Sequence, residues 1–174
     1  LEFLCSLDNM ETHADLIAGL PLYHLYEIFE DIQTLASCEA GEIQLEALKL
    51  LPGTAMRQNA KDLGICYSPL PPYEVLQTRE INAKELQTAR LLSRLLDAFY
   101  NTPAWQKLTR MIILHNNVSL QHFLDYLIEK KLLDYPMSLE RRGIVLYEYC
   151  KKYHKACFLP KIANISKSAL LRRK

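Results

Sequence analysis

The stretch DLIAGLP, residues 15–21, joins an apolar segment to a carboxylate, a glycine and a proline, and these are residue types that could contact a ligand. A glycine at the carboxyl end of a parallel strand lies where α/β sheets and barrels bind their ligands, and its missing side chain lets a ligand approach the main chain. A tight turn that contacts no ligand explains the same residues. The seven residues leave both interpretations open.

Other chemistry is weakly indicated. Asp15 and Glu46 would lie at the ends of two strands and could act as an acid/base pair, although solvated carboxylates explain them equally well. The sequence contains no P-loop, zinc ribbon or nucleophile–His–acid set, and we predict no metal site. The histidines lack the paired spacing of metal ligands: His13, His24, His115, His122 and His154.

The first part of the chain reads as a strand, a helix and a strand. Residues 12–18 predict a strand that Gly19 ends, and Pro21 suits the first position of an amphipathic helix. Residues 42–51 alternate apolar and polar side chains and predict a second strand. A βαβ unit of two parallel strands leaves its edges unpaired and an apolar face uncovered, so it requires further strands.

The rest of the chain is predicted to be helical after a short irregular region. Thr54 is a predicted N-cap, residues 65–78 are an extended proline-rich loop, and YEVLQT within it predicts one edge strand. Four helices should pack as a bundle around Trp105. Their predicted starts are Asn82, Thr102, Ser119 and Ser138. We therefore expect a mixed α/β, mostly helical fold, with a boundary near residues 79–82.

Composition excludes several protein classes. The 174 residues are 49% hydrophobic with a formal charge of +1, no apolar run reaches the length of a membrane helix, and the start does not resemble a signal peptide. The five scattered cysteines include no C-x-x-C pair, which favours a reducing cytoplasm and ordinary buried thiols over disulfides or a metal at Cys150 and Cys157. We expect a cytoplasmic protein that does not associate with membranes.

The last 24 residues, 151–174, form a basic tail. They carry eight Lys or Arg residues and no acidic residue. Such a tail can bind nucleic acid or an acidic partner, with Arg172, Arg173 and Lys174 as candidate phosphate contacts. Its interleaved apolar residues indicate a solvated final helix as an equally good interpretation.

Three segments together resemble a known family. HADLIAGLP, IQLEALKLLPGT and GICYSPLPPYEVLQT, in this order and spacing, resemble the back half of radical S-adenosylmethionine (radical SAM) enzymes. The resemblance is closest to the group whose catalytic barrel follows a cobalamin-binding domain and ends in a helical extension of uncharacterised function. Members often carry labels such as magnesium-protoporphyrin IX monomethyl ester oxidative cyclase or Fe-S oxidoreductase. The resemblance implies the end of a partial TIM barrel in residues 1–80 and a helical accessory domain in residues 81–174.

The resemblance also implies roles for particular residues. DLIAGLP corresponds to the fifth-strand motif G-x-I-x-G-x-x-E that lines the S-adenosylmethionine site; Ile17 and Gly19 match it, whereas Asp15 replaces its first glycine and Leu22 its glutamate. The sixth strand ends near the adenine, and the corresponding residues are Leu51, Pro52 and Gly53. The proline-rich segment would lie across the open side of the barrel, where the candidate substrate or lid residues are Tyr73, Glu74 and Thr78.

The resemblance finally implies what this chain lacks. The family holds a 4Fe-4S cluster with a C-x-x-x-C-x-x-C loop, and the sequence contains no such triplet. We therefore expect a C-terminal fragment that begins near the fifth strand, is inactive alone and functions with the upstream barrel, where cobalamin could also bind. The alternative is a complete helical interaction module that binds nucleic acid or an acidic partner through its basic tail.

Overall fold

The computed structural model describes residues 2–5 and 10–153, and its first structural feature after a short N-terminal helix is a pair of parallel strands. Strand β1 (His13–Ala18) pairs with strand β2 (Glu42–Ala47) along its full length. Side chains alternate between a covered face and an exposed one, and Ala18, Ile43 and Leu45 are buried on the covered face. The predicted strands and their alternation are confirmed.

Helix α2 (Leu25–Ser37) connects the two strands and buries Ile28, Ile32 and Ala36. The prediction that Pro21 begins this helix is wrong, because Leu22 has a positive φ of 61° and cannot continue a right-handed helix. The helix starts four residues later, where the backbone N–H of His24 donates to the Glu27 carboxylate at 2.8 Å. This hydrogen bond lowers the pKa of Glu27.

The segment between β2 and the next long helix is compact. Thr54 caps the short helix α3 (Ala55–Gln58) as predicted, since its hydroxyl accepts the N–H of Arg57. A small antiparallel pair follows, made of β3 (Cys66–Tyr67) and β4 (Val75–Gln77), with an additional bridge between Lys49 and Glu74. The predicted edge strand in YEVLQT is therefore confirmed.

Helix α4 (Ala83–Leu95) begins with the predicted capping box. The Asn82 side chain accepts the N–H groups of Lys84 and Glu85, and the Glu85 carboxylate accepts the N–H of Asn82 at 2.8 Å. A five-residue π-helical turn, Leu96–Tyr100, follows it. The remaining helices are α5 (Pro103–Ile113), α6 (Ser119–Glu129) and α7 (Leu139–Tyr153), and α1 is Glu2–Cys5.

The described structure is a mixed α/β, mostly helical fold, as predicted. It divides into two compact units, residues 1–94 and 95–174, so that α4 lies almost entirely in the first. The assignment of residues 1–80 to a barrel and 81–174 to an accessory domain stays a prediction. Within the described ranges, no helix is both long and apolar enough to cross a bilayer.

The core of the second unit is aromatic. Phe99, Phe123 and Tyr149 are fully or almost fully buried, and the ring centroids of Phe123 and Tyr149 are 4.7 Å apart. Two residues that the sequence places on buried helix stripes, Ile128 and Tyr153, are instead about half exposed. They lie at or near the ends of α6 and α7, where fewer neighbouring side chains are available to cover them.

The predicted burial of Trp105 is confirmed, and one glycine makes it possible. The Trp105 indole N–H donates to the carbonyl of Leu139 at 3.1 Å, and the ring lies against Gly143 of α7. A Cβ at position 143 would be only 2.7 Å from two carbon atoms of the indole. Gly143 therefore lets α7 approach the single tryptophan of the chain.

We predict that Gly143→Ala lowers the free energy of unfolding by about 1–3 kcal/mol, because the added methyl group overpacks the indole. The sign is informative, since Gly→Ala within an exposed helix normally stabilises by about 1 kcal/mol. Urea unfolding followed by Trp105 fluorescence measures the change, with Glu148→Ala on the exposed side of α7 as the control. Unchanged or increased stability of Gly143→Ala contradicts this packing.

The cysteines differ more in exposure than predicted. Cys150 is buried, and burial raises the pKa of its thiol to about 12. The prediction of a buried thiol is wrong for Cys66, which is exposed in the two-residue strand β3. Cys157 lies outside the described residues.

We predict that iodoacetamide at pH 8 modifies Cys66 and leaves Cys150 unmodified in the native chain. The raised pKa keeps the Cys150 thiol protonated at this pH, and the thiolate is the reactive form. Peptide mass spectrometry measures both sites, and denaturation in urea should make Cys150 react. Equal labelling of the two cysteines without denaturant contradicts the buried position of Cys150.

Candidate functional site at the strand ends

The exposed face of the β1–β2 pair is polar. His13, Asp15 and Ile17 of β1 lie in register with Glu42, Gln44 and Glu46 of β2. His13 Nδ1 and Glu42 Oε2 are 2.8 Å apart, and the side chains of Asp15, Gln44 and Glu46 are exposed. The fold therefore brings the sequence candidates Asp15, Ile17 and Glu46 to one accessible surface, which we call the open face and define by these six residues.

Gly19, directly after β1, has a positive φ of 93° and is buried. A Cβ built on it would lie 3.3 Å from Val75 of β4 and 3.5 Å from Leu86 of α4. Packing against Val75 and Leu86 therefore explains why a glycine is needed at position 19. The sequence did not show this, because the two contacting residues are distant in the chain. Contact between a ligand and the Gly19 main chain stays a prediction.

The turn after β2 is accessible. Leu51, Pro52 and Gly53 are exposed, the N–H of Thr54 donates to the carbonyl of Leu51 at 3.3 Å, and Gly53 has a φ of 84°. A Cβ at position 53 would meet no atom within 4 Å. Glycine is required here by the backbone conformation alone, and the space beside it is open to a ligand.

An arginine holds the proline-rich segment against the end of β2. The Arg57 guanidinium lies 4.8 Å from the ring centroid of Tyr73 and 5.1 Å from that of Tyr67, and its Nη1 donates to the carbonyl of Leu50 at 3.0 Å. We call residues 68–76, which contain Tyr73, the strap. The N–H of Leu50 also donates to the carbonyl of Tyr73 at 2.9 Å, so the lid candidate Tyr73 is fixed from two sides.

The other two candidates of this region already have partners. Glu74 Oε2 accepts a hydrogen bond from Arg90 Nη2 of α4 at 2.8 Å, in a pair that is partly exposed. Thr78 is buried, and its hydroxyl accepts the N–H groups of Glu80 and Ile81 at 3.2 Å each. Thr78 therefore shapes the turn before α4, and a contact with substrate would require that turn to open.

One loop residue supports the turn after β1. The Tyr23 hydroxyl donates to Asp31 of α2 at 2.5 Å, and burial together with this carboxylate raises the pKa of Tyr23. Leu22, at the position of the motif glutamate, is 80% exposed with a left-handed backbone. It points an apolar side chain toward solvent where the family motif has an acid.

Sequence reasoning missed Arg57 and Arg90, which connect the strap to its surroundings. The partners Tyr67, Tyr73 and Glu74 lie 10 to 16 residues away, and no local pattern marks these contacts. Only the spacing within α4 could have indicated the contact of Arg90. Arg90 lies four residues after Leu86 and is therefore on the same side of the helix, which packs inward.

No group of three or more His, Cys, Asp or Glu side chains that could hold a metal occurs in residues 2–5 and 10–153. The basic tail lies almost entirely outside this part of the chain. Lys151 is exposed at the end of α7, and Lys152 Nζ lies 4.8 Å from the centroid of the Tyr153 ring. Binding of nucleic acid or an acidic partner through Arg172, Arg173 and Lys174 stays a prediction.

Comparison with known proteins gives one family. The sequence model of DUF4080, described as a protein of unknown function, matches residues 61–165, more than half of the chain. The chain belongs to the DUF4080 family. The matched region begins after α3 and includes the strap, α4 and the helices of the second unit. No curated protein and no solved structure matches the chain.

We predict that Arg57→Lys loosens the strap of this DUF4080 protein, because lysine keeps the charge but loses the planar group between two tyrosine rings. We expect a loss of about 1–2 kcal/mol in local stability. Hydrogen exchange should become faster at the Leu50 and Tyr73 amides, which are both hydrogen-bonded in the native chain. Lys61→Met, an exposed change nearby, is the control; unchanged exchange in Arg57→Lys contradicts this role.

Proposed function

We propose that this chain is the C-terminal part of a radical SAM enzyme, comprising the last strands of its partial barrel, the strap and a helical accessory domain. The observation that carries the proposal is the β1–β2 pair. It is parallel, its apolar face is covered, and its open face carries Asp15 and Ile17, which correspond to two positions of the fifth-strand motif.

Parallel sheets are normally covered on both faces and contain more than two strands. In the described part of the chain, β1 and β2 each pair only with the other. We therefore propose that further barrel strands lie beside the outer edges of β1 and β2 and that the open face lines the barrel interior. The polar character of the open face suits the interior of a barrel that binds a polar cofactor.

Membership of DUF4080 supports the second half of the proposal. The resemblance implies a helical extension of uncharacterised function after the barrel, and the family match covers the strap and the helices that follow.

The residues of this chain fit part of the cofactor. Asp15 lies in the middle of β1, and the accessible turn at Leu51, Pro52 and Gly53 follows the carboxyl end of β2; in this proposal they would hold S-adenosylmethionine through a carboxylate and open main chain. The chain does not itself fit the 4Fe-4S cluster, since the sequence lacks the cysteine triplet. We assign the cluster, and any cobalamin, to the remainder of the polypeptide.

When bound, S-adenosylmethionine on its cluster supplies a carbon radical for oxidoreductase-type chemistry on a substrate. The contribution of this chain is to position the cofactor and exclude water. The strap is suited to the second task because Arg57 and Arg90 hold Tyr73 and Glu74 close to the end of β2. We place this activity in the cytoplasm, where the reduced cluster and free thiols are stable.

We predict that the full polypeptide that contains this chain, reconstituted anaerobically with iron and sulfide, produces 5′-deoxyadenosine from S-adenosylmethionine and dithionite. Asp15→Asn should lower kcat/KM by about tenfold or more, as expected for loss of a hydrogen bond to a charged group. Asp125→Asn is the matched control, because Asp125 is an exposed carboxylate that pairs with Gln121 in the second unit. Liquid chromatography with mass detection measures the product.

The outcomes separate the parts of the proposal. A reconstituted polypeptide that forms no 5′-deoxyadenosine contradicts the radical SAM assignment. Turnover that Asp15→Asn leaves unchanged keeps the activity but removes Asp15 from the site. Turnover by the 174-residue chain alone would show that the cluster does not come from an upstream barrel.

A further inference from the structure

A second feature of the first unit lies beside the last residues of β1 and β2, and it shares only Glu46 with the open face. It is a cleft of about 220 Å³ between the strand ends and α4. We call it the strand-end cleft. Its lining residues are Ala18, Leu45, Glu46, Ala47, Glu74, Leu86, Ala89, Arg90, Ser93 and Arg94.

The cleft exists because small side chains meet there. Ala18 and Ala47 are paired in register at the last position of each strand, and Ala89 faces them from α4. Larger residues at these positions would fill the space, as Ile43 does lower in the sheet. The floor is therefore apolar and shallow, and it suits a short aliphatic group.

The rim of the cleft carries charges of both signs. Arg90 and Arg94 lie one turn apart on the same side of α4, and Glu46 and Glu74 come from the strand ends. Arg90 is held by Glu74 at 2.8 Å and Glu46 lies 3.7 Å from Lys49, so both pairs are oriented before a ligand binds. Ser93, which also lines the cleft, lies between the two arginines in the sequence.

From this arrangement we infer that the strand-end cleft binds a small zwitterion, an aliphatic α-amino acid or the aminocarboxylate end of a larger molecule. Guanidinium groups match the geometry of a carboxylate, and the glutamates of the rim accept hydrogen bonds from an ammonium group. A simple anion would meet two rim carboxylates and find Arg90 already paired with one of them, Glu74. The cleft is smaller than the about 300–1,000 Å³ of typical ligand pockets, so the bound group is small.

This inference does not rest on the proposed function. Asp15 and Ile17 of the open face do not line the cleft, which shares only Glu46 with that face, and binding requires neither a cluster nor S-adenosylmethionine. It adds a site for a second small molecule at the same strand ends.

The test is saturation-transfer NMR on the full polypeptide, without cluster reconstitution, using L-leucine as the ligand. Two matched compounds separate its charges: 4-methylpentanoate keeps the carboxylate without the amine, and 3-methylbutylamine keeps the amine without the carboxylate. We expect saturable binding of leucine at about 10 mM or below. Each single-charge compound should bind about tenfold more weakly or worse.

Two variants locate the binding. Arg94→Met removes one guanidinium of the rim and leaves the Glu74–Arg90 pair in place, and Ser93→Leu fills the cleft from α4. Both should weaken leucine binding by about tenfold or more. The control Lys61→Met, outside the cleft on the same unit, should bind leucine as the wild type does.

Four results would overturn the inference. They are no saturable leucine binding, 4-methylpentanoate binding as tightly as leucine, unchanged affinity in both cleft variants, and an equal loss of affinity in Lys61→Met. The second result would indicate a site for simple carboxylates. Loss of 5′-deoxyadenosine formation has no bearing on the outcome, so failures of the two proposals are distinguishable.

Discussion

The stability of the first unit depends on how its two-stranded parallel sheet is covered, including at the strand ends. Such a pair has one apolar face, and that face must be buried for the strands to be stable. Helix α2 connects the strands, with its buried side at Ile28, Ile32 and Ala36. Near the carboxyl ends the cover changes, because Val75 and Leu86 pack against the backbone of Gly19. The glycine that could approach a ligand is also the point where strap and helix close over the strands.

That closure explains the arrangement of charges around the strap. Arg57 lies between Tyr67 and Tyr73, while Arg90 pairs with Glu74, so two arginines hold the segment that lies beside the end of β2. Neither pair is fully buried, which keeps the desolvation cost small. The backbone contributes as well, since the N–H of Leu50 donates a hydrogen bond to the carbonyl of Tyr73. A segment fixed in this way can define one rim of a binding site without regular secondary structure.

The sequence predicted the features that short-range chemistry decides. The caps at Thr54, Asn82 and Ser138 each involve groups three residues away, and the alternation in β1 and β2 follows from strand geometry. The predicted start of α2 was wrong because Leu22 has a positive φ. Leucine usually avoids this conformation, so the residue type gave no indication of it. The packing role of Gly19 was invisible for a different reason. It depends on Val75 and Leu86, which are more than 50 residues away.

The same limit applies to the candidate site. Asp15, Ile17 and Glu46 could be assigned to one face because the period of a strand is two, and register then placed them on adjacent strands. Glu74 and Thr78 were chosen from their position in or just after the proline-rich segment, yet Glu74 is paired with Arg90 and Thr78 is buried in a turn. The carboxyl ends of β1 and β2 thus offer two surfaces of different character. The open face is polar, whereas the strand-end cleft has an apolar floor and a rim with charges of both signs, so the two surfaces select different ligands.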